Sequence, residues 1–389
     1  MLTYPTSDRT GRGRAASTSL AILSTYPPTQ CGLATFTAAL HTELAKICRD
    51  VGVVRVVDAP ETHAGAEVVG HLINGSAESA AGAVKLLNDY DAVIVQHEYG
   101  IFGGPDGGDV LDLIDALTVP VIVVLHTVLL APTASQRRIL EHLLDASAIV
   151  VTMTKTARDR LMSTYGADPS QIVVIPHGAI NHGATPSTRP ASARPLVLTW
   201  GLLGPGKGIE WAIDAMAGLR DLQPRYLVMG KTHPKVLERH GETYRTELQH
   251  RIDDSGVADL VDLDPSYLTV DDLARLVERA DVVLLPYDSR EQVTSGVLIE
   301  AVAAGRPVVS TAFPHAIELL ADGTGLVVPQ ADSGALEAAL RRVLEEPGLA
   351  GDMEERAARK APELFWSAVA ARYRGIAARL VTAALADAS

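Results

Sequence analysis

Hydrophobic residues come in short blocks along this chain, separated by stretches in which apolar side chains recur every three or four positions. The blocks Leu20–Leu23, Val51–Val57, Ala92–Val95, Val119–Val124, Ile149–Thr152 and Ile172–Ile175 are rich in Val and Ile and lack polar alternation. Strands apolar on both sides are buried on both faces, which predicts a parallel sheet covered by helices. Helical spacing between the blocks predicts helices near 33–49, 77–88, 107–117, 134–144 and 155–165. Right-handed crossovers then make this a doubly wound α/β layer.

The pattern breaks at 180–195 (INHGATPSTRPASARP), a run of Pro, Ser, Thr and Gly with linker composition. It then restarts, with strands near 196–200, 225–229, 258–262, 281–285, 307–310 and 325–328. Helices are expected near 208–219, 234–253, 270–279, 296–304 and 333–346. From Pro362 to Ala386 the chain reads as a last helix, with Phe365, Trp366, Val369, Tyr373, Ile376, Leu380 and Ala384 mostly three and four apart. So apolar a helix must lie against something, either the second domain or the first. The expected organisation is a flexible tail at 1–18, a Rossmann-like domain at 19–185, a second at 186–361 and a C-terminal helix at 362–389.

Size and charge narrow this picture. A chain of 389 residues exceeds what one core usually serves, in keeping with two domains. Its 34 basic and 47 acidic residues leave a net −13, which repels phosphate backbones and excludes nucleic acid as a first guess. Two cysteines, Cys31 and Cys48, are too few for a disulfide framework or a structural zinc site and fit a reducing compartment. No run of about eighteen apolar residues predicts a bilayer span, and the polar first eighteen residues do not read as a signal peptide. A cytoplasmic location is expected.

In a doubly wound sheet ligands sit beyond the carboxyl ends of the strands, so the residues following each strand are the candidates. Cys31-Gly32 opens the first helix, where a glycine lets the backbone approach an anion; a plain tight turn explains it as well. Gln96-His97-Glu98-Tyr99 and His126-Thr127 are polar clusters directly after apolar runs, and they suggest a pocket for a polar ligand. His177, after the sixth strand, reads equally well as a hinge residue. In the second half, Gly201–Gly208 brings four glycines and Lys207 between a strand and a helix, a ready phosphate cradle. It nearly matches a P-loop, but Gly208 stands where Ser or Thr would hold magnesium. Farther on, the loop from Pro286 runs into Ser295-Gly296 and a helix carrying Glu300 about one turn in, a second anion site. Asp262-Leu263-Asp264 matches a D-x-D metal pattern, which chance favours among 47 carboxylates. No metal site is expected.

From about Leu20 to the last helix, the spacing of these pieces resembles the retaining glycosyltransferases of family 4. The resemblance is strongest at Leu284–Thr311, LLPYDSREQVTSGVLIEAVAAGRPVVST. It implies the GT-B fold, an α/β architecture of two Rossmann-like doubly wound domains facing a central cleft. It also implies a nucleoside diphosphate sugar as donor substrate, no cofactor, and transfer of a hexosyl unit without a metal. Carried across, Glu300 meets the ribose hydroxyls of the donor nucleotide, and Lys207 with Gly206 meets the diphosphate. Ser295 and the amides of Gly296, Val297 and Leu298 meet phosphates or sugar, Gly32 lies near the diphosphate, and His126 contacts the donor sugar. His126, Lys207 and Glu300 are thereby the expected catalytic set. The acceptor would meet His97, Glu98, Tyr99 and Thr127.

Two positions depart from the family pattern. Leu202 stands where the family usually has an arginine, leaving Arg290 or Lys231 to substitute, and Gln292 stands where the first of two spaced glutamates is usual. Gln292 can bind sugar hydroxyls but carries no charge. Residues 1–190 hold 13 basic and 18 acidic side chains, net −5, and the remainder nets −8. Neither half shows a basic excess for anionic membranes, so strong membrane association is not expected and a soluble acceptor (a sugar, cyclitol or aminocyclitol) is preferred. A lipid-linked glycan as acceptor, a non-catalytic nucleotide-sugar-binding protein, and a nucleotide hydrolase or kinase remain as alternatives. A homodimer is left open.

Overall fold

The computed structural model of the protein describes residues 18–61, 65–181 and 194–387. The tail expected at 1–18 and the linker expected at 180–195 fall almost wholly outside these. The chain divides into two compact units: Met1–Gly178 with Trp366–Ser389, and Ala179–Phe365.

The first unit is built in the order β1 (Ser19–Ser24), α1 (Gly32–Leu44), β2 (Asp50–Val57), β3 (Val68–Ile73), α2 (Ala77–Leu87), β4 (Ala92–His97) and α3 (Val110–Asp115). It continues through β5 (Val121–Leu125), α4 (Ala134–Ala146), β6 (Ile149–Thr152), α5 (Lys155–Tyr165) and β7 (Ile172–Val174). The seven strands lie in the order β3-β2-β1-β4-β5-β6-β7, and every pairing is parallel. All residues of β1, β4 and β5 are buried, the both-faces burial that their unbroken Val and Ile content predicts. Seven strands form where six were expected. β3 (VVGHLI) was missed because its half-buried Gly70 and His71 dilute the apolar signal of an edge strand.

The second unit runs β8 (Leu196–Trp200), α6 (Ile209–Gly218), β9 (Arg225–Met229), α7 (Pro234–His240), α8 (Thr243–Asp254), β10 (Val261–Asp264), α9 (Val270–Arg279) and β11 (Val282–Leu285). It ends with α10 (Gly296–Ala303), β12 (Val308–Thr311), α11 (Pro314–Leu319), β13 (Gly325–Val328), α12 (Ser333–Glu345) and α13 (Leu349–Leu364). Its parallel strands take the order β10-β9-β8-β11-β12-β13. This is the 3-2-1-4-5-6 order of a dinucleotide-binding sheet, with its switch point between β8 and β11. The single helix expected at 234–253 is two, because Gly241 at φ 58° turns the chain out of helical geometry.

The C-terminal segment also divides. Pro362 lies inside α13, Phe365 is extended, and α14 (Trp366–Asp387) begins a new helix. The break has a partner: the Ala179 N–H donates to Leu364 O at 2.7 Å and Ala179 pairs with Phe365, which keeps both in the second unit. The compact division therefore falls at Gly178, ahead of the boundary at 185 read from composition. α14 belongs to the first unit and packs along α1. Trp366 stands edge-on to Phe36 of α1 at 4.8 Å, and the His177 ring lies 5.3 Å away. Gly178 is needed there, since a Cβ would sit 2.1 Å from the Trp366 ring. Among the described residues, no helix is long and apolar enough to cross a membrane.

Trp366→Ala removes this ring from a closed aromatic contact. Urea unfolding should show the first unit destabilised by about 3 kcal/mol, the usual cost of a large core truncation. A change below about 0.5 kcal/mol would mean the helix is not held through this contact.

Candidate functional site

Both sheets reverse their strand order beside their first strand, so the loops after β1 and β4, and after β8 and β11, are the positions where a doubly wound sheet takes ligands. Most of the residues singled out from sequence fall in these loops or at the helix starts that follow them; His126 and Thr127 follow the neighbouring strand β5.

In the first unit, Cys31 caps α1 by accepting from the Ala34 N–H at 3.4 Å, and Gly32 is the first helical residue. A Cβ on Gly32 would meet nothing within 4 Å, so the packing of this unit does not itself require glycine there. Across the switch point, the β4–β5 register pairs His97 with Leu125, and the His126 N–H donates to His97 O at 3.1 Å. This sets His97, Glu98 and Tyr99 beside His126 and Thr127. The Thr127 hydroxyl donates to Glu98 Oε2 and the Tyr99 N–H to Glu98 Oε1 at 3.1 Å, fixing the carboxylate. Gln136 Nε2 donates to Asp106 Oδ1 at 3.3 Å, and the Tyr99 hydroxyl donates to Gln136 O at 3.4 Å.

The histidines are held neutral. His97 is fully buried, and desolvation pulls it down to about 4. His126 is also lowered, by burial first and then by the nearby His177 and His97. Its Nε2 lies 2.6 Å from the side-chain amide of Gln96, which fixes the ring's orientation. Phe36 stands edge-on to both His126 and His177, 5.0 Å from each.

In the second unit, the loop Gly201–Gly208 is shaped by positive φ at Gly201 (118°), Gly206 (87°) and Gly208 (61°). Gly208 is obligatory, because a Cβ would lie 1.8 Å from Pro286 O. The serine or threonine of a P-loop cannot occupy this position, which removes the sequence basis for a nucleotide hydrolase or kinase. The Asp288 N–H donates to Gly206 O at 3.0 Å and Trp211 Nε1 donates to Asp288 Oδ2 at 2.9 Å, tying this loop to the one after β11. Lys207 Nζ sits 4.3 Å over the Tyr287 ring, and among the described residues it makes no ion pair with a carboxylate. Its charge is felt by His233, whose pKa is lowered by burial and then by Lys235 and Lys207.

Ser295 caps α10 by accepting from the Leu298 N–H at 3.3 Å, and its own N–H donates to His315 Nδ1 at 2.8 Å. Gly296, Val297 and Leu298 form the first turn, and half-buried Glu300 lies one turn in. Gln292 Nε2 donates to Thr294 O at 3.1 Å, holding the loop before the cap. Lys231 lies 5.9 Å over the Tyr267 ring. Asp262 pairs with Arg225 at 2.7 Å and Asp264 Oδ1 accepts from the Ser266 N–H, so both carboxylates of the D-x-D have protein partners.

A family model for glycosyltransferase family 4 matches residues 32–179, and one for glycosyl transferases group 1 matches residues 194–346. The chain belongs to the family 4 glycosyltransferases. It is 28% identical over 254 residues to a D-inositol 3-phosphate glycosyltransferase of Kineococcus radiotolerans, covering 59% of this chain and 57% of that protein. A protein of the same name from Paenarthrobacter aurescens is 30% identical over 240 residues, covering 59% of this chain and 57% of that one. The chain thus spans little more than half the length of these curated relatives. Among solved structures, a sucrose-phosphate synthase of Thermosynechococcus elongatus superposes with TM-score 0.74 at 19% identity, covering 94% of this chain and 100% of that one. Alr3699/HepE of Anabaena, in complex with UDP and glucose, gives 0.71 at 18%, covering 92% of this chain and 99% of that one. The fold is GT-B.

Two residues that the sequence did not single out support the candidate loops. Arg55 is 1% exposed; NH1 donates to Glu61 Oε2 at 2.6 Å and NH2 to Thr29 Oγ1 at 2.9 Å, bracing the loop that leads to Gly32. A lone charge inside the apolar block Val51–Val57 was the available signal. His315 gave none, because only the packing of α11 on α10's cap brings it to Ser295.

The buried histidines give the protein an acid limit. His97 has a folded pKa of about 4 against 6.5 for the free side chain, so the unfolded chain binds the extra proton between these values. Stability should be full above pH 6.5 and fall as pH drops toward 4, by about 3 kcal/mol from His97. Urea midpoints across that range check this, and His97→Asn should flatten the profile.

Proposed function

We propose that the protein transfers a hexosyl unit from a nucleoside diphosphate sugar to a hydroxyl of a soluble polyhydroxylated acceptor, with retention at the anomeric carbon. The observation that carries this reading is Lys207. It is a cation without a carboxylate partner among the described residues, beside a positive-φ glycine loop at the switch point of a Rossmann-order sheet. The helix start adds the main-chain donors of Gly296 and Val297 at the other side of the same switch point, the Ser295 and Leu298 N–H groups being engaged by His315 and the cap.

In the transfer, the bond from the anomeric carbon to the diphosphate oxygen breaks and its electron pair stays on the phosphate. The sugar becomes oxocarbenium-like, the acceptor oxygen bonds to the same face, and its proton passes to the leaving phosphate oxygen. The electrostatic task is to stabilise charge growing on the diphosphate, which Lys207 and the amides of Gly206, Gly296 and Val297 are equipped to do without a metal; the Leu298 N–H is taken by the Ser295 cap. Glu300 would hold the ribose hydroxyls, and Gln292 and Ser295 the sugar or phosphates. His126, held neutral, would hydrogen-bond a sugar hydroxyl. Fixed Glu98, with Tyr99 and Thr127, would receive the acceptor's hydroxyls; His97, expected from the sequence to join them, is fully buried and can only back them. The D-inositol 3-phosphate glycosyltransferases support a cyclitol among the acceptors, and the UDP and glucose in Alr3699/HepE support UDP-glucose as a donor to try first.

A thermal-shift panel of UDP, GDP, ADP and TDP should single out one base, since binding raises apparent stability with ligand concentration. Lys207→Ala should lower kcat/KM by about a hundredfold with an unchanged melting temperature, the usual cost of removing one charge-stabilising contact. Undiminished turnover in that variant, or no shift with any of the four nucleotides, would overturn the assignment.

A further inference from the structure

We infer that Tyr287 is the positioning residue for Lys207: its buried ring is the platform that holds the ammonium over the glycine loop. The inference rests on the diphosphate role proposed for Lys207. A lysine side chain has four rotatable bonds and loses considerable freedom when ordered, so a lysine that acts at one point must be held. Acidic partners hold most ordered lysines, but they also cancel the charge. Here the holder is a ring face, which attracts the cation electrostatically while adding no negative charge to compete with an anion.

The ring is packed on Phe313 and its backbone is held by hydrogen bonds. Tyr287 is 1% exposed, and Phe313 stacks on it at 5.2 Å with an interplanar angle of 29°. Its carbonyl accepts from Thr311 Oγ1 at 2.5 Å and from Gln330 Nε2 at 3.1 Å. The next residue, Asp288, donates its N–H to Gly206 O, the residue before Lys207. Backbone and ring are thus registered to the same loop. The Tyr287 hydroxyl is buried with no hydrogen-bond partner, so the ring rather than the hydroxyl is what the site uses.

Pyrophosphate, which carries no base or sugar, probes this directly. Its dissociation constant is measured by calorimetry for wild type, Lys207→Ala, Tyr287→Leu, Tyr287→Phe and the double variant Lys207→Ala/Tyr287→Leu. Tyr287→Leu should weaken binding about fivefold, the scale of a cation–π contact, and Tyr287→Phe should bind as wild type does. The double variant should bind no more weakly than Lys207→Ala alone, because a residue acting only through Lys207 has nothing left to position. Unchanged binding in Tyr287→Leu, or a loss that adds in full to that of Lys207→Ala, would overturn the inference. If Tyr287→Leu does not fold, the wild type decides by NMR of the 13C-methylated lysines. A Lys207 signal shifted upfield by the ring supports the platform, and an unshifted one overturns it. If wild type does not bind pyrophosphate, or Lys207→Ala binds it as wild type does, the diphosphate reading falls, while the NMR signal still decides the platform.

Discussion

The constraint on which this protein depends is the burial of two all-parallel sheets on both faces. A parallel strand can be followed by another only through a crossover, and the crossover helices cover the apolar faces. Polar groups are therefore driven to the strand ends, and the reversal of strand order beside β1 and β8 opens a gap at the carboxyl ends. Lys207, the glycine loop, the Ser295 cap and the Glu98–Thr127 pair all stand at carboxyl ends for this one reason.

The two units solve their polar problems differently. The first collects neutral and acidic groups beyond β4 and β5: histidines held uncharged by burial and a carboxylate fixed by a hydroxyl and an amide. The second sets Lys207, a glycine loop and main-chain donors beyond β8 and β11. The proposed transfer needs donors for hydroxyls on one substrate and stabilisation of an anionic leaving group on the other, and each unit offers one of these environments. The family carries the reaction class; the particular acceptor and donor belong to the proposal.

Glycine geometry bears on the competing chemistry as well. Gly208 leaves no room for a side chain against Pro286 O, so the near-match to a P-loop is a coincidence of spacing. Likewise, Asp262 and Asp264 look like a metal pair in sequence, but a neighbouring arginine and a turn amide engage them. In both cases the pattern of residue types was the same for the two chemistries, and only the partner atoms separate them.

The alternation of buried strands and amphipathic helices, the two-part organisation and the loops that carry the candidate site were legible in the residues themselves, since full burial of a strand and capping of a helix are written in local composition. Gly32, His97, His126, Lys207 and Ser295 could be singled out as candidates for the same reason, each being a polar or glycine residue placed where an apolar run stops or a helix starts, with Glu300 one turn into its helix. What local composition does not encode is contact between distant segments. The break at Phe365 follows from Ala179 pairing with it, the return of α14 to α1 from Trp366 meeting Phe36, and the setting of Ser295 from His315 twenty residues on. The bracing of Thr29 by Arg55 and the seating of Lys207 on Tyr287 are of the same kind. Those choices are made by packing, where geometry between segments decides which of several locally acceptable partners a side chain meets.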